Sequence, residues 1–241
     1  MNKSQENLKL RRSPDSAGTI VYYATRSGGT TLDTGESGGN PFAGALIEVA
    51  AQKTLRLQNL GTKLCKHTKT MSNGHQIPEC NGDIHLPNWR FHEDHHRKRE
   101  KRSALILIVS DYSASALGAP LLGAARDERR IASMLARYGF SVIQGIGPKR
   151  EELIQALRSF RHQSKDSDVA IIYSTGHGVE SDGMIYLLPG DYPIHEGYRK
   201  DQLRTRAVTV DRIIRAASAR EQNIVFFAGC RTKVCILRNG L

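Results

Sequence analysis

Cysteine, tryptophan and acidic residues are all scarce in this chain. Four cysteines (Cys65, Cys80, Cys230 and Cys235) and one tryptophan stand in 241 residues. Four irregularly spaced cysteines do not make a disulfide framework in a chain of this length, which fits a reducing compartment where a thiol stays free for chemistry. No apolar run is long enough to span a bilayer, and the start, MNKSQENLKLRR, lacks the apolar stretch of a secretory signal. A cytoplasmic protein without membrane association is expected. Acidic residues are outnumbered, 24 Asp+Glu against 35 Lys+Arg, for a formal net charge of +11. Such an excess suits a nucleic-acid surface. Much of it, however, sits in two short runs, Lys9 to Arg12 and Arg97 to Arg102, that lack the interleaved aromatics of a stacking surface. These runs read as a tail and a linker, and a nucleic-acid partner is not expected.

From Ser103 onward, short apolar β-prone runs alternate with amphipathic stretches, the pattern of βαβ units and a mostly parallel sheet. ALILIV (104–109), Ser141 to Ile146, VAIIY (169–173) and IVFF (224–227) read as strands. Ala124, Ile131, Leu135 and Tyr138 mark a helix that Gly139 stops. Leu153, Leu157 and Phe160 mark a second helix, and Val210 with Ile213, Ile214 and Ala217 a third. The first third repeats this grammar: strand IVYYA (20–24), a Gly- and Thr-rich loop from Ser27 to Asn40, then a helix that Asn40 caps and Pro41 opens. Leu57, Leu60 and Leu64 follow at helical spacing, then a weak edge strand near Ile84 to Leu86. The fold class is α/β, with helices on both faces of the sheet.

Strand VAIIY runs into STGHG and strand IVFF into AGCR, so His177 and Cys230 both emerge at the carboxyl ends of buried strands. Ligand and catalytic sites of open α/β sheets gather there. Alone, a Cys after an apolar strand reads as a small core residue and a His before Gly as a turn residue; together at one edge they make a nucleophile and its base. The amides of Gly178 and Cys230 are the candidate oxyanion donors.

DVAIIYSTGHGVESDGMIYLLPGDY resembles the His-Gly strand and hairpin of bacterial caspase-like proteins, and NIVFFAGCR resembles their strand ending in Asp-Ala-Cys-Arg. The gap of 53 residues (230 − 177) is similar to the family's His about 50 residues upstream of its Cys. With ALILIVSDYSASALGAPLLGAARDERRIASMLARYGF, the resemblance covers nearly all of 104–231. IVYYATRSGGTTLDTGESGGNPFAGALIEVA and TKTMSNGHQIPECNGDIHL resemble the family's small-subunit half, which ordinarily follows the catalytic Cys. The resemblance thus implies an inverted order, similar to that of type III metacaspases. The resemblance implies a caspase-like, circularly permuted fold in one folded domain: a basic lead (1–18), a small-subunit half (19–93), a charged linker (94–103) and a catalytic large-subunit half (104–241). It also implies a cysteine endopeptidase acting on a protein or peptide substrate after Arg or Lys, without a cofactor.

Two features depart from the family. Where members carry Asp two residues before the Cys to line the substrate pocket, this chain has Ala228, leaving Asp127 as the matching pocket acid. The tail from Thr232 lacks the family's acidic positions, so a calcium requirement does not carry over. These departures motivate the alternative of a catalytically inactive, partner-binding caspase-like module or a rearranged fragment. Cys65, His67, His75 and Cys80 are zinc-type residues at no standard finger spacing. His92, His95 and His96 read as solvated, and Asp166, Asp168, Asp182 and Asp191 as loop and cap residues.

Overall fold

The computed structural model describes residues 17–35, 38–92, 100–115, 120–146, 149–193 and 198–234. Most of the basic lead, most of the charged linker, and His95, His96 and Cys235 lie outside the described residues. In chain order the elements are β1 (Gly18–Tyr23), α1 (Pro41–Ala50), α2 (Leu57–Met71), β2 (Glu79–Gly82), β3 (Arg102–Ile108), α3 (Leu122–Arg137), β4 (Ser141–Ile146) and α4 (Arg150–Ser164). Then come β5 (Val169–Thr175), β6 (Gly178–Ser181), β7 (Met184–Leu187), α5 (Lys200–Arg206), β8 (Val208–Thr209), α6 (Val210–Ile214), β9 (Gln222–Phe227) and β10 (Thr232–Lys233).

Six strands form one sheet in the order β2-β1-β9-β5-β3-β4, parallel except for the edge strand β2. The central strands β3, β5 and β9 are apolar on both faces because helices cover both. On one side Ile106, Tyr173, Ile224 and Phe226 meet Phe42 and Leu46 of α1, Leu60 and Leu64 of α2, and Ile131 and Leu135 of α3. On the other, Leu105, Ile172, Val225 and Phe227 meet Leu153, Leu157 and Phe160 of α4 and Ile213 of α6. β1 lies beside β9 in parallel register, Ile20 opposite Ile224, so the first third of the chain extends the same sheet. A second sheet, β10-β6-β7-β8, stands beyond the ends of β5 and β9.

Asn40 caps α1 as expected, its side chain accepting the Phe42 N–H at 2.8 Å, and Gly139 follows α3 at φ +78. Three expectations differ from the structure. His92, expected to be solvated, packs its ring against Tyr138 with centroids 4.6 Å apart and buries its Nε2. The edge strand is Glu79–Gly82, not Ile84 to Leu86. The amides of His85 and Leu86 donate instead to the side-chain oxygen of buried Gln222, at 2.8 and 3.3 Å, which takes them out of a ladder. β3 also starts inside the expected linker, at Arg102. That guanidinium is no solvated charge: it binds Glu100 at 2.6 Å, the carbonyls of Phe91 and Tyr138, and lies over the Trp89 ring at 5.1 Å.

Candidate active site

β5 and β9 pair in parallel with Ser174 opposite Phe227. His177 and Cys230 each stand three residues beyond that pair (177 − 174 and 230 − 227), so the register brings both turns to the same level of one edge. A Cβ built on Gly178 would collide with the Cys230 carbonyl oxygen, and one on Gly229 would come within 2.9 Å of the Gly176 carbonyl. The glycines flanking the two residues let their turns press together, which any side chain there would prevent.

Cys230 is half-buried. Its Sγ accepts the Thr31 N–H at 3.2 Å and lies 3.3 Å from Thr31 Oγ1, donors suited to holding negative charge on sulfur. Among the described residues no hydrogen bond joins the His177 imidazole to Cys230; the thiol is engaged by the glycine-rich loop instead. Burial pushes the His177 pKa below its ordinary value, while the charge of Asp33 pulls it up. The net shift keeps the ring neutral, the form that accepts a proton, further into acid.

Asp33 caps α3 from a distance of ninety residues in sequence, accepting the Gly123 and Ala124 N–H groups at 2.9 and 3.0 Å. Farther along the same loop, the Asn40 N–H donates to Asp127 at 2.8 Å, and Arg126 donates to the Gly38 carbonyl at 3.0 Å. The first turns of α3 are thus a cradle for the loop that carries Thr31.

The two residues expected in the substrate pocket are closed off. Asp127 is 0% exposed and paired with Arg130 at 3.1 Å, and Ala228 is 1% exposed in the core under α1. Both face the side covered by Gly39 and Asn40, where the Asn40 amide also reaches the Ala228 carbonyl at 3.4 Å. Burial, with the nearby Asp33 charge adding to it, pushes the Asp127 pKa up from 3.8 to about 6 against the pull of the Asn40 amide and Arg130. A folded-state pKa above the unfolded one favours the native state below the unfolded value, and this contribution is lost as pH rises through about 6. Relative to Asp127→Asn, the wild-type unfolding free energy is expected to fall by on the order of 3 kcal/mol between about pH 4 and pH 7. Urea titrations of both proteins measure this; a flat or rising difference contradicts it.

Arg231 ties the Cys230 turn to three other segments. Its guanidinium reaches Glu180 of β6 at 3.1 Å, Glu79 of β2 at 2.8 Å and the Thr25 carbonyl at 3.4 Å, and lies 4.6 Å from the Tyr23 ring. The Gly28 N–H donates to the Arg231 carbonyl and the Arg231 N–H to the Gly29 carbonyl, both at 2.9 Å.

The zinc-type residues do not converge: His67 faces Glu48 at 3.3 Å and His75 faces Thr30 at 3.0 Å. Among the described residues no group of three His, Cys, Asp or Glu side chains is placed to hold a metal ion. Asp168 accepts from Arg220 at 2.8 Å, and Asp182 sits at a positive-φ turn position paired with Lys200. No described helix is long and apolar enough to cross a membrane.

Thr31, Asp33 and Tyr112 were not singled out from the sequence. A signal existed for Asp33: α3 begins after Leu121, a residue that cannot cap, so its cap had to come from elsewhere. Comparison with curated proteins finds no match. The family model for the caspase domain, peptidase C14, matches residues 101–238, more than half of the chain and both turns of the site. The chain therefore belongs to the caspase-domain family of cysteine peptidases.

Proposed function

We propose that this protein is a cysteine endopeptidase in which Cys230 is the nucleophile and His177 its general base, cutting protein or peptide substrates after Arg or Lys without a metal or other cofactor. The observation that carries this reading is the equal overhang of His177 and Cys230 beyond the paired residues Ser174 and Phe227. In the reaction, imidazole takes the thiol proton and sulfur attacks the scissile carbonyl carbon. Negative charge on the carbonyl oxygen falls to the amides of Gly178 and Cys230. The imidazolium returns its proton to the leaving amine as the C–N bond breaks, and a thioester remains. Water, deprotonated by the same ring, then attacks the thioester and frees the thiol and the carboxylic acid. For Asp127 to meet a cationic side chain, Gly38 to Asn40 must first lift from α3.

The small-subunit half precedes the catalytic half in this reading, a permutation supported by β1 lying parallel to β9 where the family's order would bring that strand after the Cys. A second reading, an inactive caspase-like binding module, is favoured by the engagement of Sγ with Thr31 and by the closed pocket. Incubation with a positional peptide library, with and without calcium, separates the two. Cleavage after Arg or Lys is expected in both conditions, and its absence from every peptide favours the binding module.

A further inference from the structure

The β6–β7 ladder pairs Val179 with Tyr186 and Gly178 with Leu187, so the next rung outward is His177 with Leu188. That rung is made in an unusual way. The Leu188 N–H donates directly to the His177 carbonyl at 2.8 Å. In the other direction the His177 N–H donates to the Tyr112 hydroxyl at 2.7 Å, and this hydroxyl donates to the Leu188 carbonyl at 2.9 Å. A phenol oxygen is inserted into the ladder as a relay. It holds the two main chains farther apart on that side than a direct bond of about 2.9 Å allows, at the residue whose ring must face Cys230.

The rest of the pocket is built around this insertion. Tyr112 is 0% exposed, and its ring lies against the His177 imidazole with centroids 4.4 Å apart. Gly176 has φ +148, and a Cβ there would come within 2.9 Å of the Tyr112 hydroxyl oxygen, so the glycine leaves room for the relay. Burial holds the phenol pKa well above its ordinary value. The hydroxyl therefore stays protonated, able to accept from His177 and donate to Leu188 wherever the enzyme works.

We infer that Tyr112 is a positioning residue, whose hydroxyl, inserted between His177 and Leu188, fixes the direction in which the His177 imidazole points. This rests on the reading of His177 as the base of Cys230. Without the hydroxyl, either the His177 N–H is left buried without a partner or the rung closes directly and turns the ring.

The test follows alkylation of Cys230 by iodoacetamide across pH, which needs no substrate, in the full chain with Cys65, Cys80 and Cys235 changed to Ser. Tyr112→Phe is expected to slow alkylation at neutral pH on the order of ten- to a hundredfold, toward the rate of His177→Ala. At alkaline pH, where the thiolate forms without a base, the rates should converge; damage to Cys230 itself would slow both ends. Incorporating 3-fluorotyrosine at position 112 keeps the hydroxyl, and with it the donor and the acceptor of the relay, and should retain the neutral rate. A wild-type profile in Tyr112→Phe overturns the inference. If the phenylalanine variant does not fold, a 3-fluorotyrosine protein, which keeps the hydroxyl, that alkylates as slowly as His177→Ala overturns it equally. A profile unchanged by His177→Ala removes the base itself, and the role of Tyr112 with it.

Discussion

Residues 103–241 expressed alone are expected to be insoluble or unfolded, and residues 1–95 supplied in the same cell are expected to restore a soluble, assembled protein. In the whole chain β1 covers one edge of β9 along its full length, Gly18 opposite Gln222 through Tyr23 opposite Phe227. Without it β9, buried at every position, becomes an unpaired apolar edge, a template for aggregation. Phe226 also loses Tyr22, stacked at 5.3 Å, and Phe42 at 6.3 Å, while Ile224 loses its cover. Uncovering two such side chains costs roughly 3–6 kcal/mol, against about 5–15 kcal/mol for the stability of an entire domain. Thr31 and Asp33 leave with the same piece, so the thiol loses its partner and α3 its cap. A soluble, cooperatively unfolding isolated C-terminal half, judged by gel filtration and urea titration, would contradict this.

Cys230→Ala and His177→Ala are each expected to remove nearly all peptidase activity, with losses approaching the order of 10⁶-fold in kcat that single deletions from a cooperating catalytic unit produce. The two losses should not multiply in the double variant, because without the sulfur no thioester forms and the ring has no step left to assist. Both residues lie in turns that follow fully buried strands, so neither change should disturb the core. Hydrolysis retained by Cys230→Ala would mean that another group performs the attack.

The strands that carry these residues could be read directly because their information is local. VAIIY and IVFF are apolar at every position, as central strands of a sheet covered on both faces must be, and glycines mark the turns that follow. Asn40 and Gly139 were legible for the same reason, since a cap and a helix stop each depend on a few neighbouring residues. What escaped depends on pairings across the whole chain. Thr31 meets Cys230 across 199 positions, Asp33 meets α3 across 90, and Tyr112 meets His177 across 65. A threonine in a glycine-rich loop carries no sign of the sulfur it will touch. Arg102 was hidden differently: it stands in a basic run that reads as solvated, yet folding delivers Glu100, two carbonyls and an indole face to it. The pocket residues show the opposite error of scale. Asp127 and Ala228 were assigned to the pocket by resemblance, but whether they meet solvent is decided by Gly39 and Asn40 folding over them.

The most direct measurement of the central claim is covalent labelling of the intact protein with a peptidyl chloromethyl ketone carrying Arg at its reactive end, followed by mass analysis and peptide mapping. The account predicts one adduct per chain, on Cys230, formed by thiolate displacing chloride, competed by Arg-containing peptide substrate and strongly slowed by His177→Ala. Labelling that falls on Cys65 or Cys80 instead, or that proceeds at Cys230 equally fast without His177, would contradict it.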